Sequence, residues 1–472
     1  MKDTKSFSAS GAAPYDGAAD SEREKLKDRL ESMRNRAKKT SATSDKPSSS
    51  NIFRKIFSTR KKSGKAPGGQ RGHKGHTLGK FPNPTSVAEK PPAPKCACGG
   101  AVVVREDLAQ SKQIVDVEMI VHVAEERAKI GYCDKCGKKH EGEFSDGYAN
   151  PANYGNNLKS IAALLNTRMN MPCGKIVETI SALTNGAIHM SAGTVVNIVG
   201  ETAGMMEESI NTIRGMLLES GALLADETGY RVNGKLKWFQ IFSTPSMTLY
   251  SANEKRSSFL FEGEDLLLLF AGIVVHDHLK SYCRYEHLTH AECNEHISRA
   301  AKAVFEILKH GWADEMRKFL LDANRRKKEL LEKGEYFTER DIEGFFSRFN
   351  EILDKGDAEY RAAIGGLQRI VRFNDERCLL KRLREYAAEH LRFLTDPEVP
   401  RSNNLAEQSA KEVKRKVRVS GGFRSDAGSR NYARIASVIS TMRKNGINIY
   451  RGIFRIRQGE KLDFSPRPND SG

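Results

Sequence analysis

Nowhere in the 472 residues is there an apolar run of 18; the densest patch, Leu266 to Phe270, is far too short to cross a bilayer. The N-terminus is polar and lacks the apolar core of a secretory signal, so the sequence reads as cytosolic. Acidic residues are in deficit. Asp plus Glu number 60 against 77 Lys plus Arg, a formal charge of +17. That excess favours a polyanionic partner, nucleic acid above all, because neutralised phosphates release counterions. Eight cysteines in a reducing compartment read as metal ligands or buried thiols rather than disulfides. The length is enough for two to four domains.

What the chain does contain is a strand ending in acid. Leu223-Leu224-Ala225 delivers Asp226, and the run continues to Val232 before turning at Asn233-Gly234 into Lys235 to Ser243. Asn-Gly between β-prone runs signals a type I′ hairpin, which needs positive φ at both central residues. A third run, Met247 to Tyr250, follows the Pro245-Ser246 turn. Glu254 to Phe270 has helical length, and Ile273-Val274-Val275-His276 then ends in Asp277. Three antiparallel strands, a helix and a returning strand are the opening of a ribonuclease-H-like sheet. With strands about 4.8 Å apart, Asp226 and Asp277 could converge on one ion; equally, both could merely end strands at turns. Glu227 follows Asp226 but faces the other side of a strand.

Residues 1–59 read as disordered, apart from a short helix that the capping box Ser21-Glu22-Arg23-Glu24 opens, with Leu26, Leu30 and Met33 on one face. Residues 60–90 form a linker whose stretch Arg60 to His76 is basic and glycine-rich, suited to lying along a phosphate backbone or to serving as a plain linker. In 91–150, Cys96-x-Cys98 and Cys133-x-x-Cys136 flank strand-like runs at Ala101–Val104 and Met119–Val123. Four thiolates in two knuckles suit structural zinc (Zn2+) in a zinc-ribbon-like domain, with buried or redox cysteines as the other reading. Cys96 and Cys98 stand one residue closer than the usual knuckle, and His140 is a substitute ligand.

Residues 151–219 turn helical, with faces at Leu158, Ile161, Leu164 and Leu165, then at Ile176, Val177, Ile180 and Leu183. A turn at Asn185-Gly186 and a cap at Ser191 follow. The pattern fits a DNA-binding helix-turn-helix or a plain small bundle. Cys293 and His296, three apart, share a helical face; two ligands alone suit a structural pair better than an ion site. Residues 297–395 are helical and charge-rich, an insertion rather than part of a sheet. Prolines at 397 and 400 then stop the chain, and Asn403 or Asn404 can cap a helix whose first turn holds Glu407. Lys411, Lys414, Arg415, Lys416, Arg418, Arg424 and Arg430 follow, against only Glu412 and Asp426. Such a border suits an acidic metal site flanked by groups that hold phosphates.

Taken in order, Lys65 to His76, Ala225-Asp226-Glu227-Thr228-Gly229, Val275-His276-Asp277, Cys293-x-x-His296, Asn403 to Glu407 and Val419-Ser420-Gly421-Gly422-Phe423-Arg424 resemble the insertion-sequence-sixty-six family of bacterial DDE transposases. The resemblance covers about residues 60–455. It implies a multidomain α+β chain: a zinc-ribbon-like domain and a helical DNA-binding region precede a ribonuclease-H-like mixed-sheet catalytic core. That core comprises 220–296 and 396–455 around the helical insertion, with a disordered tail at 456–472.

The family's acidic triad maps onto Asp226, Asp277 and Glu407, and the insertion accounts for the 130 residues between the last two. Carboxylates brought together repel unless cations neutralise them, and Mg2+ or Mn2+ with hard oxygen ligands would do so. The implied function is end binding, strand cleavage and strand transfer, in the cytoplasm at the nucleoid. The implied partners are double-stranded DNA, further copies of the chain in a synaptic homo-oligomer, and accessory proteins of the element. Two rivals stand beside it: a DNA-binding regulator or inactive transposase derivative, and a structure-specific nuclease.

Overall fold

A computed structural model describes Gly72 and residues 77–464, except Ala109, Ser257, Glu262 and 366–372. The helix expected after Ser21 and, Gly72 apart, the basic stretch Arg60 to His76 lie outside the described residues. The described chain divides into two compact units. Residues 60–143 and 179–189 make one; 144–178 and 190–472 fall to the other.

In the smaller unit, β1 (Ile130–Tyr132) and β2 (Lys139–Glu141) form a short antiparallel hairpin. The cysteines sit in tight turns. Gly99 N–H donates to the Cys96 carbonyl and Gly137 N–H to the Cys133 carbonyl, both at 2.9 Å, with positive φ at each glycine. The strand expected at Ala101–Val104 reduces to one bridge, Lys95 with Ala101. The run Met119–Val123 is exposed and forms no strand. Side chains such as Ile120 have nothing to bury against, so their β-propensity is not realised.

The larger unit opens with helices α1 (Asn156–Thr167), α2 (Cys173–Leu183, whose last turns fall in the smaller unit), α3 (Ala192–Met205) and α4 (Glu207–Leu218). Ser191 caps α3 as the sequence predicts, its Oγ accepting from Thr194 N at 3.0 Å. Asn185 and Gly186 both take positive φ.

A five-stranded mixed sheet follows. Strand β3 (Ala222–Val232) pairs antiparallel with β4 (Lys235–Ser243), and β4 with β5 (Thr248–Asn253). Asn233 and Gly234 join the first two at φ 47° and 81°, the double positive φ that a type I′ turn demands. On the other side of β3 lies β8 (Ile273–His276), parallel, and beyond it β9 (Thr289–Glu292), also parallel. The order is β5-β4-β3-β8-β9.

The helix expected over Glu254–Phe270 is corrected. The chain stays extended to Asn253, folds into a two-residue ladder of β6 (Leu260–Phe261) with β7 (Glu264–Asp265), and only Leu266–Leu269 (α5) is helical. Gly263 turns the chain at φ 92°, and the Asn253 side-chain amide donates to the Leu260 carbonyl at 2.9 Å.

Beyond β9 come α6 (Asn294–Leu308), α7 (Gly311–Glu332), α8 (Glu339–Ile364), α9 (Asn374–Glu385) and α10 (Ala387–Thr395). Their apolar faces, Ile297, Trp312, Phe349 and Leu383 among them, share one core with Phe239, Ile241 and Val275 of the sheet. The chain then returns as α11 (Asn404–Ser420), α12 (Asp426–Lys444) and α13 (Ile449–Arg457). Edge strand β5 is covered by α12, whose Ser437 and Thr441 hydroxyls accept from the N–H groups of Tyr250 and Thr248. The covering satisfies donors that an edge otherwise leaves open. Between α11 and α12 Gly421 and Gly422 take φ 75° and 107°, delivering Phe423 to bridge Val232 and to stack against Tyr230 and Tyr432. Where a disordered tail is expected from 456, the chain stays packed through Phe464, with Leu462 and Phe464 buried.

Candidate active site

Four apolar residues drive β3 through the core: Ala222, Leu223, Leu224 and Ala225 are buried, and Asp226 follows with some surface still accessible. Strand β8 is built alike, with Val274, Val275 and His276 buried before Asp277. Parallel pairing sets Leu224 level with Val275. The pairing stops there, two residues short of the acids, and the charge of Asp277 is among those acting on Asp226. Immediately after Asp277, His278 holds φ 71°, unusual for a side chain of its size. Its N–H donates to His276 Nδ1 at 3.2 Å and its Nδ1 pairs with Glu292 at 2.5 Å. These contacts hold the sharp turn that ends the strand.

Glu407 arrives on α11, in the first turn, where the helix dipole favours a carboxylate. Asn403 occupies the N-cap position without capping: its Nδ2 donates to the Ala225 carbonyl at 2.6 Å and its backbone N–H to Cys293 Sγ at 3.2 Å. The helix is thus pinned to the residue preceding Asp226. Around the Glu407 carboxylate stand Cys293 Sγ at 3.8 Å, Arg299 Nη2 at 3.5 Å, His296 Nδ1 at 3.7 Å and Lys411 Nζ at 3.9 Å.

The electrostatics tie the three acids together. Burial, then the charges of Glu227, Asp277 and Glu407, push the Asp226 carboxyl well above the carboxylate range. Like charges gathered in a poorly solvated place disfavour ionisation, and a cation is what such a donor set lacks.

Glu227 belongs to a different set. Its carboxylate is buried, accepts from Arg256 Nε at 2.9 Å and from the Tyr282 hydroxyl at 3.2 Å. Burial first, then Asp277, raises it to about 7 against the pull of Arg256. Nearby, Glu292 lies buried between His278 and Arg382; burial alone would raise it, but those partners hold it well below the usual range. Sequence reasoning had no signal for Arg256, Tyr282 or Arg382, which come from outside the acidic motifs.

Of the basic residues after Glu407, Arg415, Arg418, Arg424 and Arg430 are exposed, Lys411 likewise, and Lys414 is half-buried. Lys416 is a correction: it is buried, its amine donating to the Asn166 carbonyl at 2.7 Å, and burial lowers it to about 8. Ala406, Ala410 and Val413 are buried at helical spacing, and Lys416 continues that stripe.

Among the described residues, the group of His, Cys, Asp and Glu ligand atoms lying within 4.8 Å of one another is Cys293, His296 and Glu407. No three of Cys96, Cys98, Cys133 and Cys136 gather to that distance, although the two thiols of each pair interact. Cys98 and Cys133 are each lowered, by backbone hydrogen bonds first, in turns that favour thiolate.

A family model described as Transposase IS66 family matches residues 152–431, more than half of the chain. The chain belongs to the IS66 transposase family. The matched span runs from the four helices through the sheet, α6–α10 and α11 into the start of α12, so all three acids fall within it. Curated proteins gave no match. No helix of this transposase, among the described residues, is long and apolar enough to cross a membrane.

Proposed function

We propose that this transposase binds the ends of its element and performs metal-dependent strand cleavage and strand transfer on DNA, as a DDE enzyme with a ribonuclease-H-like core. The observation that carries the reading is the placement of the acids: β3 and β8, which carry Asp226 and Asp277, are neighbouring parallel strands, and Asn403 ties the helix of Glu407 to the residue before Asp226. Three acids, one within strand β3, one at the end of β8 and one at a helix start, supply hard oxygen donors, which fit Mg2+ or Mn2+. Divalent ions held by Asp226, Asp277 and Glu407 would activate the attacking oxygen and stabilise the leaving one.

The chain's own residues do the rest. Asn403 fixes the helix of Glu407 to the strand of Asp226. The turn at His278 fixes Asp277. Exposed Arg415, Arg418, Arg424 and Arg430, which follow Glu407 in sequence, offer phosphate contacts. In this reading 297–395 is an insertion in the core. The cysteine turns with structural zinc and the helices of 151–219 grip DNA, and two copies pair two ends, with accessory proteins of the element. The sheet order β5-β4-β3-β8-β9, three antiparallel strands then two parallel, supports the core assignment.

The test is cleavage of labelled end DNA with Mg2+ or Mn2+. Asp226→Asn, Asp277→Asn and Glu407→Gln should each abolish cleavage and leave end binding in a gel-shift assay. Normal cleavage by any one removes that residue from the set. Cleavage by the wild type without joined product in a strand-transfer assay would make it a nuclease.

A further inference from the structure

Cys293 and His296 stand together for a reason visible in the fold. Strand β9 ends at Glu292, Cys293 caps α6, and its N–H donates to the His276 carbonyl at 2.9 Å, so the first turn of α6 begins against the end of β8. One helical turn then lays His296 alongside Cys293. Two donors are a weak metal site; Glu407 supplies a third from a helix 111 residues further along the sequence.

We propose that Cys293 Sγ, His296 Nδ1 and Glu407 bind a borderline-soft divalent transition metal of the zinc or cobalt class, in a site that shares only Glu407 with the hard-oxygen acids. Three observations carry it. The separations fit: bonds of about 2.0–2.3 Å at a tetrahedral ion set ligands about 3.3–3.8 Å apart. Here His296 Nδ1 and Cys293 Sγ lie 3.7 and 3.8 Å from Glu407 Oε1, and all three atoms fall within 4.8 Å.

The second observation is His296 itself, 6 % exposed, with Nδ1 lacking any hydrogen-bond partner. A buried ring nitrogen left unmatched is costly, and it points at Glu407 and Cys293. The third is the N–H of Asn403, 3.2 Å from Cys293 Sγ, a donor placed as outer partners of metal thiolates are.

Thiolate and imidazole select zinc-like ions and repel nothing; Mg2+ wants oxygen. Two cations face the site, Arg299 at 3.5 Å and Lys411 at 3.9 Å from Glu407. The Arg299 Nη2 makes no hydrogen bond, so its pairing with Glu407 is loose. Metal, thiolate, carboxylate, Arg299 and Lys411 leave a net charge of two positive, which a phosphate in the fourth position would balance. Three protein ligands with one open position is the pattern of a reactive rather than a closed zinc site.

The test is binding, read without DNA, so it stands apart from the cleavage reading on which only Glu407's second role depends. Full-length protein stripped by chelator is titrated with Co2+ in excess Mg2+, and cobalt content and thiolate charge-transfer absorption are measured. Wild type should hold one equivalent more than His296→Gln or Cys293→Ala, and Cys133→Ala should keep that equivalent. Equal content in wild type and both variants overturns the site. Because Cys293 is buried and its variant could misfold, wild-type crystals soaked in zinc give the second arm. An anomalous peak among Cys293, His296 and Glu407 supports the site, and an empty position at saturating zinc overturns it.

Discussion

The side-chain amide of Asn403 donates to the backbone carbonyl of Ala225 across 2.6 Å, binding the start of one helix to the strand that carries Asp226. Asn403 is fully buried. Asn403→Ala removes the donor and leaves a buried carbonyl unpaired, which costs about 1–3 kcal/mol. It should also let the first turn of α11 drift, so cleavage should fall further than end affinity. Urea unfolding and paired cleavage and gel-shift assays check this; a variant that unfolds earlier but cleaves at the wild-type rate would show that the tie serves stability alone.

Much of this architecture could be read directly from residues. Asn233-Gly234 between alternating runs names its own turn, and the short apolar runs before Asp226 and Asp277 name two strands of the sheet. The failures have physical causes. Between Glu254 and Asp265 the apolar residues follow no clear period, and there the chain forms a short ladder, with only Leu266–Leu269 helical. Asn403 was legible as a cap by type, but its side chain went to Ala225 instead, a partner 178 residues away. Lys416 was read by charge when its spacing from Ala406, Ala410 and Val413 placed it inside. The meeting of Cys293 and His296 with Glu407 is tertiary, and no local pattern announces it.

Glu227 neighbours Asp226 in sequence yet is paired with Arg256 and Tyr282. Glu227→Ala should therefore destabilise, by about 3 kcal/mol, since it strands the charge of Arg256. Arg256→Met alongside it should recover part of that loss, which a double-mutant cycle by denaturant unfolding would detect. If the single variant is as stable as wild type, the pair contributes nothing.

The basic segment separates into surface and interior. Replacing exposed Arg418, Arg424 or Arg430 by Ala should weaken DNA binding across all sequences, each lowering the salt slope by about one. Lys416→Met should leave affinity and slope unchanged, because its amine is held by the Asn166 carbonyl. Fluorescence anisotropy at several salt concentrations is the measurement. A reduced slope for Lys416→Met would return that residue to the DNA face.

His390 gives the structure an acid sensitivity that can be isolated. The ring is buried, its Nδ1 paired with Asn294 Oδ1 at 3.2 Å, and burial lowers it to about 3, with the charge of Glu292 opposing and that of Arg382 adding. In the unfolded chain a histidine titrates near 6.5. The folded value is the lower, so the unfolded chain takes the proton first. The contribution of His390 is therefore complete above about pH 6.5 and drains away as pH falls towards about 3. Other groups overlay this: His276, lowered to about 4 by burial, adds the same sign, while Glu227, raised to about 7, has the opposite one. The difference between wild type and His390→Gln cancels them. Between pH 7.5 and 4.5 that difference should move by about 2–3 kcal/mol in favour of the variant, from the linkage of one proton over two pH units. Urea unfolding at the two pH values decides it, and a gap that stays constant means the ring charges in the fold as readily as outside it.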